Sequence, residues 1–533
     1  VASGTKEKGI MTGSKYLLGV DLGTSGAKAG IFDEKGELIS TAKEEYHFQH
    51  PNPGWSEIDP EEVWQKAGSV IRDCVKESGL DAEQIVAMGL SVLGETFMFV
   101  DEEGKPVYNA IEGMDARAQA YQEYISWFKE RFSAEEIFQR TSYPISSLPP
   151  VPKILWFREN RPEVLEKTDK FVTFQDFAVW RLTGTPAIDY SMASRLMLFD
   201  TMEKNWIEEY LDVMGISADH FSPTVESAHP VGELSESAAE ELGLKPGILV
   251  VPGAHDQSCA ALGVGVVREG VASDGTGSVE AITTATKTPI TSLEMLARGQ
   301  GSQCHVRADL WLALGFHLAA GSLVRWYRDQ LGQWEQEKAL KEGKDPFDLI
   351  TEAAQSSPPG AKGLLLFPHW SGAGTGRDPA LNPNSRGGIV GFTLAHSKAD
   401  LSRAIFEGIT FEARFIVESL ESSGIPIKEL VVTGGGAKSP FWLQLKADIT
   451  GKRIVVPEVT EASLLGAALL AGVGAGVYAS LEDAVDQACR TVSAFEPNSD
   501  VSAIYDRIFP IYKDLYGAFI DISGRLAAFV ADS

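Results

Sequence analysis

Three carboxylates stand where chemistry is possible. Asp21, Asp256 and Asp274 each sit where an apolar run gives way to a turn or a helix start. A carboxylate so placed can hold a divalent cation or take a proton from a hydroxyl. Asp21 opens Asp21-Leu22-Gly23-Thr24-Ser25-Gly26, whose glycines let backbone N–H groups converge on an anion while the Thr and Ser hydroxyls donate to it. The same residues also make an ordinary polar turn. Asp274-Gly275-Thr276-Gly277-Ser278 repeats the pattern about half a chain later, and two such turns suggest two related domains facing each other over one nucleotide. Asp256 follows the strand-like Gly247 to Val251 and sits in Pro252-Gly253-Ala254-His255-Asp256-Gln257, where it is either a helix N-cap or a working carboxylate. A third glycine cluster, Thr433-Gly434-Gly435-Gly436-Ala437, lies at a strand-to-helix switch and admits a flat adenine, a phosphate or merely a tight turn. Asp115 and Arg117 come together where a helix is expected to begin, as ligands or as helix caps and surface charges. His317 and His369 have no partner at metal-ligand spacing and read as structural.

The elements that must position these residues alternate in the α/β manner. An apolar run, a polar tip and a returning apolar run make a hairpin of Tyr16 to Phe32, and Glu37 to Glu45 forms the next strand. Asp59 is a good N-cap, Pro60 suits the first helical position and Glu62 completes a box-like pattern. Val63, Trp64, Ala67, Val70, Ile71, Cys74 and Val75 then form the apolar stripe of that helix. A strand over Ile85 to Val92 leads into Leu93-Gly94-Glu95-Thr96, followed by Phe97 to Val100. Pro149 to Lys153 marks a break, and Phe174 opens a helix ending near Thr183-Gly184. In the second half, strands precede Arg325 and His369, a helix covers Asp400 to Leu420, and another runs from Phe441 to Thr450. The hairpins predict mixed rather than purely parallel sheets. Ala462 to Leu481 carries no charge and is long enough to span a bilayer, but its glycines and the acidic flanks Glu461 and Glu482 predict a buried helix.

A chain of 533 residues exceeds what one core normally serves, so two domains are expected. Hydrophobic residues at 44% and charged residues at 23% are the balance of a globular protein. The formal net charge of −27 repels nucleic acid and anionic membranes, which excludes both as expected partners. It also means that an anionic nucleotide needs local backbone donors and a cation. Cys74, Cys259, Cys304 and Cys489 show no CxxC spacing, so neither a disulfide framework nor a zinc site is expected and a reducing cytoplasm fits best. Val1 to Ser14 lack the apolar core of a signal peptide, and Met11 reads as a candidate natural start.

The ordered motifs from Tyr16 to beyond Tyr478 resemble the FGGY carbohydrate kinases: the Asp21 turn, Gly253 to Gln257, Asp274 to Ser278, Thr433 to Ala437, and Gly387 to Gly391 followed by Asp400 to Glu407. Phe392 stands where a smaller aliphatic residue is usual in that family. The resemblance implies an α/β protein of two actin/hexokinase-like (ribonuclease H-type) domains, mixed sheets flanked by helices with a cleft between them. The boundaries expected are 15–263 for a sugar-binding domain and 264–533 for a nucleotide-binding one. By the resemblance, Asp256 is the general base, Asp21 and Asp256 hold Mg²⁺, and ATP contacts Gly23, Thr24, Ser25, Thr276, Gly277, Ser278, Gly435, Gly436 and Ala437. The sugar or polyol would meet Gly94, Glu95, Thr96, Asp115, Arg117, Asp256 and Gln257. Glu95 and Gln257 look like the hydroxyl-binding pair of the family's glycerol kinases, whereas the overall run of motifs, with Asp176 before a Thr-Gly turn, looks like its pentulose kinases. The expected reaction is ATP-dependent phosphorylation of a pentulose such as xylulose. Glycerol or another sugar alcohol is the alternative acceptor, and a sugar acid would need a basic partner, for which Arg117 is the candidate. A nucleotide-gated actin-like ATPase is the reading from another class. A homodimer is a candidate assembly by analogy with relatives.

Overall fold

The opening hairpin forms as the alternating pattern requires. Strand Tyr16–Leu22 is buried throughout and pairs antiparallel with Gly26–Asp33, placing Asp21 opposite Lys28. This is a computed structural model describing residues 15–117, 120–378 and 380–531, and the stretch Val1 to Ser14, with Met11, lies outside the described residues. The chain divides into two units. The first runs to Val267 and takes in Gln303–Trp311 and Glu461–Arg490; the second comprises Arg268–Ser302, Leu312–Thr460 and the chain from Thr491.

Unit 1 is built on one mixed sheet, in the order Gly232–Glu233, Leu249–Val250, Ile85–Val92, Tyr16–Leu22, Gly26–Asp33, Leu38–Glu45, with Ala254–His255 also paired to Ile85–Val92. The hairpin pairs are antiparallel, whereas Ile85–Val92 runs parallel to Tyr16–Leu22. Helix Pro60–Ser78 covers one face with Val63, Trp64, Ala67, Val70, Ile71 and Cys74 buried. Its start differs from the box expected at Glu62: the Asp59 side chain accepts from the Glu61 backbone N–H instead. Pro149 to Lys153 is likewise no break. Pro150 and Pro152 lie in the first turn of a continuous helix, Pro150–Asn160, where a missing N–H costs nothing.

The uncharged segment is helix Ala462–Gly474, whose residues Leu464 to Gly472 are all buried. Among the described residues no helix is long and apolar enough to cross a membrane. Glycine lets this helix lie on backbone. A Cβ at Gly19 would stand 2.1 Å from the Leu464 carbonyl oxygen, one at Gly89 2.4 Å from that of Ala467, and one at Gly466 1.9 Å from that of Cys259. Cys259 belongs to helix Asp256–Gly263, so the two helices and the sheet meet with almost no side-chain spacing.

Unit 2 repeats the plan. Gly270–Thr276 and Glu280–Thr286 form an antiparallel hairpin, Ile427–Gly434 pairs parallel with Gly270–Thr276, and the sheet continues through Arg453–Pro457 to Thr491–Phe495. Its apolar core includes Leu364 to Phe367, Ile405, Phe406, Ile409, Trp442 and Tyr505. Helix Lys398–Ser422 crosses that core, and its Glu412 meets Arg377 from a loop and Tyr512 from helix Ser499–Ala531.

Candidate functional site

In unit 1 three strands bring their ends together. Asp21 lies opposite Ser91, and Ser91 lies opposite Ala254 on the other side, so Asp21, Ser91 and Ala254 form a row across the sheet. Ser91 Oγ donates to Asp21 Oδ1 at 2.6 Å. Asp256 comes two residues after Ala254, at the carboxyl ends of the parallel strands, where open α/β sheets bind ligands. It is the first residue of helix Asp256–Gly263 rather than its N-cap; His255 occupies that position, and Asp256 Oδ1 accepts from the Gln257 N–H at 2.6 Å. The Asp256 side chain keeps 29% of its surface exposed, so a ligand can reach it. Burial pushes its pKa up to about 7, with Asp21 and Glu95 adding to the rise and Arg195 opposing it. Burial likewise raises Asp21, against the hydrogen bond from Ser91 and the charge of Lys28.

The loop after strand Ile85–Val92 supplies the neighbouring wall. Glu95 adopts φ 57°, a left-handed conformation uncommon for a residue with a side chain. Its carboxylate accepts from Tyr143 Oη at 3.0 Å and pairs with Arg195. Burial works to raise Glu95, but the charge of Arg195 and the hydrogen bonds from Arg195 and Tyr143 outweigh it and hold the carboxyl below its ordinary value. Gly94 is required beside it, because a Cβ there would lie 2.6 Å from His255 Nε2. Burial, with Arg195 nearby, lowers the His255 pKa to about 3, so the ring is neutral. Thr96 is fully buried and Gln257 is exposed.

Asp115 and Arg117 do not line this wall. Both side chains have no exposure: Arg117 pairs with Glu57 and Asp115 and stacks on Trp55 at 4.1 Å, while Asp115 accepts from the Ser56 N–H at 2.6 Å. The expected basic partner for a sugar acid is thereby enclosed. Lys153 fastens the adjoining loop, donating to the carbonyls of Glu112, Gly113 and Leu148 at 2.7–2.9 Å.

Sequence reasoning missed Tyr143, Arg195 and Gln303. Arg195 left one signal, as the only charged residue between Asp189 and Asp200. A lone cation in an apolar run must find a buried partner, and Arg195 finds Glu95 and Gln303.

In unit 2 the glycine clusters meet one another. Gly434 has φ 80°, and a Cβ there would sit 2.6 Å from the Thr276 carbonyl oxygen; a Cβ at Gly436 would sit 2.7 Å from Thr276 Cγ2. The start of helix Gly321–Leu331 closes on the same turn, with the Gly321 N–H donating to the Gly277 carbonyl at 2.9 Å and Ser322 Oγ to that of Ser278 at 2.8 Å. Gly277, Ser278 and Gly435 are exposed, Ala437 is half-buried, and Thr276 is buried with its hydroxyl donating to Asp274 at 2.9 Å. Asp274 is therefore spoken for: Lys446 lies 2.5 Å away and also pairs with Glu280, which His317 Nε2 approaches at 2.6 Å. This buried network anchors the base of the turn. In unit 1 the matching turn leaves Thr24 and Ser25 exposed and Gly23 half-buried, tied back by Tyr46 Oη donating to the Gly23 carbonyl at 2.5 Å.

Comparison with known proteins agrees with this layout. The N-terminal domain model of the FGGY family of carbohydrate kinases matches residues 16–263, and the C-terminal domain model of that family matches residues 270–475. A gluconokinase of Bacillus subtilis is 30% identical over 505 residues, 94% of this chain and 96% of its own length. A xylulose kinase of Staphylococcus epidermidis is 30% identical over 504 residues, with the same coverage of 94% and 96%. The solved ligand-bound xylulose kinase of Lactobacillus acidophilus superposes with a TM-score of 0.85 at 23% identity, over 96% of this chain and 100% of that one. That likeness shows the fold, a mixed α/β architecture of two actin-like domains.

Proposed function

We infer that this chain, which belongs to the FGGY family of carbohydrate kinases, phosphorylates a hydroxyl of a neutral pentulose such as xylulose, with Asp256 as the general base. It is a carbohydrate kinase, and relatives named gluconokinase and xylulose kinase support a small sugar or sugar-derived acceptor. The observation that carries the mechanism is the Asp256 carboxylate, partly open beside the ionised Glu95 and held near neutral pKa by its surroundings. Asp256 would take the acceptor hydroxyl's proton as its oxygen bonds to the γ-phosphorus, while the bond to the ADP oxygen breaks. Glu95 would accept from a second hydroxyl and fix the acceptor's orientation, and positioning is one of the two main sources of rate gain in such a transfer.

The turn of Gly23, Thr24 and Ser25 in unit 1, and the turn of Thr276, Gly277 and Ser278 in unit 2, would donate to phosphate oxygens. Gly435, Gly436 and Ala437 would lie against the adenosine. Kinases use ATP with a metal ion, and the residues here fit one: Asp21 and Asp256 offer hard oxygen ligands, and burial strains both carboxylates in a way that a cation relieves. Mg²⁺ typically takes one or two carboxylates and completes its shell with water and phosphate, and when bound it neutralises phosphate charge.

A neutral acceptor is favoured over a sugar acid because Arg117 is enclosed and Arg195 is already paired with Glu95, so neither guanidinium is offered to a carboxylate. Glu95 with the exposed Gln257 also suits glycerol or another sugar alcohol. A coupled ADP-release screen over pentuloses, pentitols, glycerol, hexuloses and aldonates decides. The highest kcat/KM is expected for a pentulose; a preference for glycerol installs the second reading, and a preference for an aldonate overturns both. Asp256→Ala is expected to lower kcat about 10²–10⁴-fold with an unchanged melting temperature, and undiminished turnover would remove the base assignment.

A further inference from the structure

We propose that His255 is a positioning residue for Asp256: its Nε2–H holds one carboxylate oxygen, and Gln303, itself oriented by Arg195, fixes the imidazole in the tautomer that can do so. The proposal rests on the reading of Asp256 as the base. Its parts come from three separate stretches of unit 1, around residues 195, 255 and 303.

The hydrogen-bond directions follow from donor capacity. A guanidinium has no acceptor, so the Gln303 side-chain atom 3.1 Å from Arg195 Nη1 must be the amide oxygen. The Gln303 nitrogen is then the atom facing Ser258 Oγ at 2.6 Å and His255 Nδ1 at 3.0 Å. Because an amide nitrogen only donates, His255 Nδ1 must accept, and in a neutral imidazole the remaining proton sits on Nε2. Nε2 lies 3.1 Å from Asp256 Oδ1, within reach but off the hydrogen-bond angle, an alignment that catalytic contacts often reach only once substrate binds. The amide orientation that ordinary coordinates leave ambiguous is thus set by Arg195.

Two further features suit this arrangement. Gly94 leaves the room that the ring occupies, since a Cβ would come within 2.6 Å of Nε2. The His255 backbone N–H donates to Ser191 Oγ at 3.0 Å, which anchors the residue at the helix start. The second Asp256 oxygen is left for chemistry. Through Arg195 the relay also ends on Glu95, so the group that would bind acceptor and the group that would deprotonate it share one frame.

The test combines spectroscopy with kinetics. In uniformly ¹⁵N-labelled protein, the His255 ring assigned by difference against His255→Phe is expected as the Nε2–H tautomer; an Nδ1–H tautomer overturns the proposal whatever the variants do. His255→Phe and His255→Asn, which cannot present a donor at the Nε2 position, are expected to lower kcat about 10–100-fold while KM for Mg-ATP stays within about two-fold. His255→Gln, whose amide nitrogen can reach that position, is expected to recover most of the loss. A merely structural histidine would show no difference between Asn and Gln. Gln303→Leu should fall between them. Asp256→Ala is run alongside: if it is inactive while His255→Phe keeps full kcat, the positioning role fails and the base stands. If Asp256→Ala is active, both fall.

Discussion

At the scale of single residues, the candidate site is a set of carboxylates whose environments push them apart. Asp256 is raised toward neutrality by burial, Asp21 and Glu95, whereas Glu95 is kept ionised by Arg195 despite its own burial. Such divergence is how one pocket assigns a proton acceptor and a hydrogen-bond acceptor. Glu95 also carries a left-handed φ of 57°, a local strain of about 1–3 kcal/mol that the surrounding contacts must hold. Replacing it isolates its role. Glu95→Gln is expected to raise KM for the sugar acceptor about ten-fold or more, the cost of one hydrogen bond to a charged group, with KM for Mg-ATP unchanged. Equal increases in both constants would show that Glu95 supports the fold of the pocket rather than the acceptor.

At the scale of elements, helix Asp256–Gly263 carries the proposed base and is seated on helix Ala462–Gly474 through glycine. The Gly466 Cα faces the Cys259 carbonyl so closely that an added methyl would lie 1.9 Å from its oxygen, and one at Gly263 would lie 2.0 Å from that of Ala462. Neither neighbour is a flexible side chain, so the backbones themselves must part. Gly466→Ala is expected to cost about 1–3 kcal/mol and, by moving the helix that begins at Asp256, to lower kcat. Gly517→Ala, at a helical position with nothing within 4 Å of the new methyl, is the control that should leave kcat unchanged and add about 0.5–1 kcal/mol of stability. Normal activity in Gly466→Ala would mean that the packing does not fix the base. Much of this was legible in the sequence and some was not. The hairpins, the strand before Gly94 and the cap at Gly184 follow from local patterning, because alternation and glycine placement act over a few residues. Arg195, Gln303 and Tyr143 were not legible, since what matters about each is a partner about fifty to a hundred residues away. Pro150 and Pro152 read as a break because proline both ends helices and starts them, and only the following turns decide.

At the scale of the whole molecule, each unit uses the same sheet position for its candidate binding loop. The strand parallel to the hairpin leads into Gly94-Glu95-Thr96 in unit 1 and into Gly435-Gly436-Ala437 in unit 2. The repeat of Asp21 to Ser25 in Asp274 to Ser278 pointed to this duplication, but the equivalence of the parallel strands emerges only from the pairing. The duplication has diverged in charge: Asp21 keeps a neutral hydroxyl partner, whereas Asp274 is neutralised by Lys446. The chain as a whole carries a net charge of −27. A polyanionic nucleotide must approach that field before any backbone donor can hold it, and the repulsion acts over a Debye length of about 10 Å at 0.1 M salt and about 30 Å at 0.01 M. Raising salt from about 10 mM to about 150 mM should therefore lower KM for Mg-ATP, by about two-fold or more, because screening removes more repulsion than it removes local attraction. KM for a neutral acceptor should not move over the same range. If KM for Mg-ATP instead rises with salt, the local donors and cation at the nucleotide turns, rather than the global charge, govern capture, and the field of the whole protein plays no part in binding.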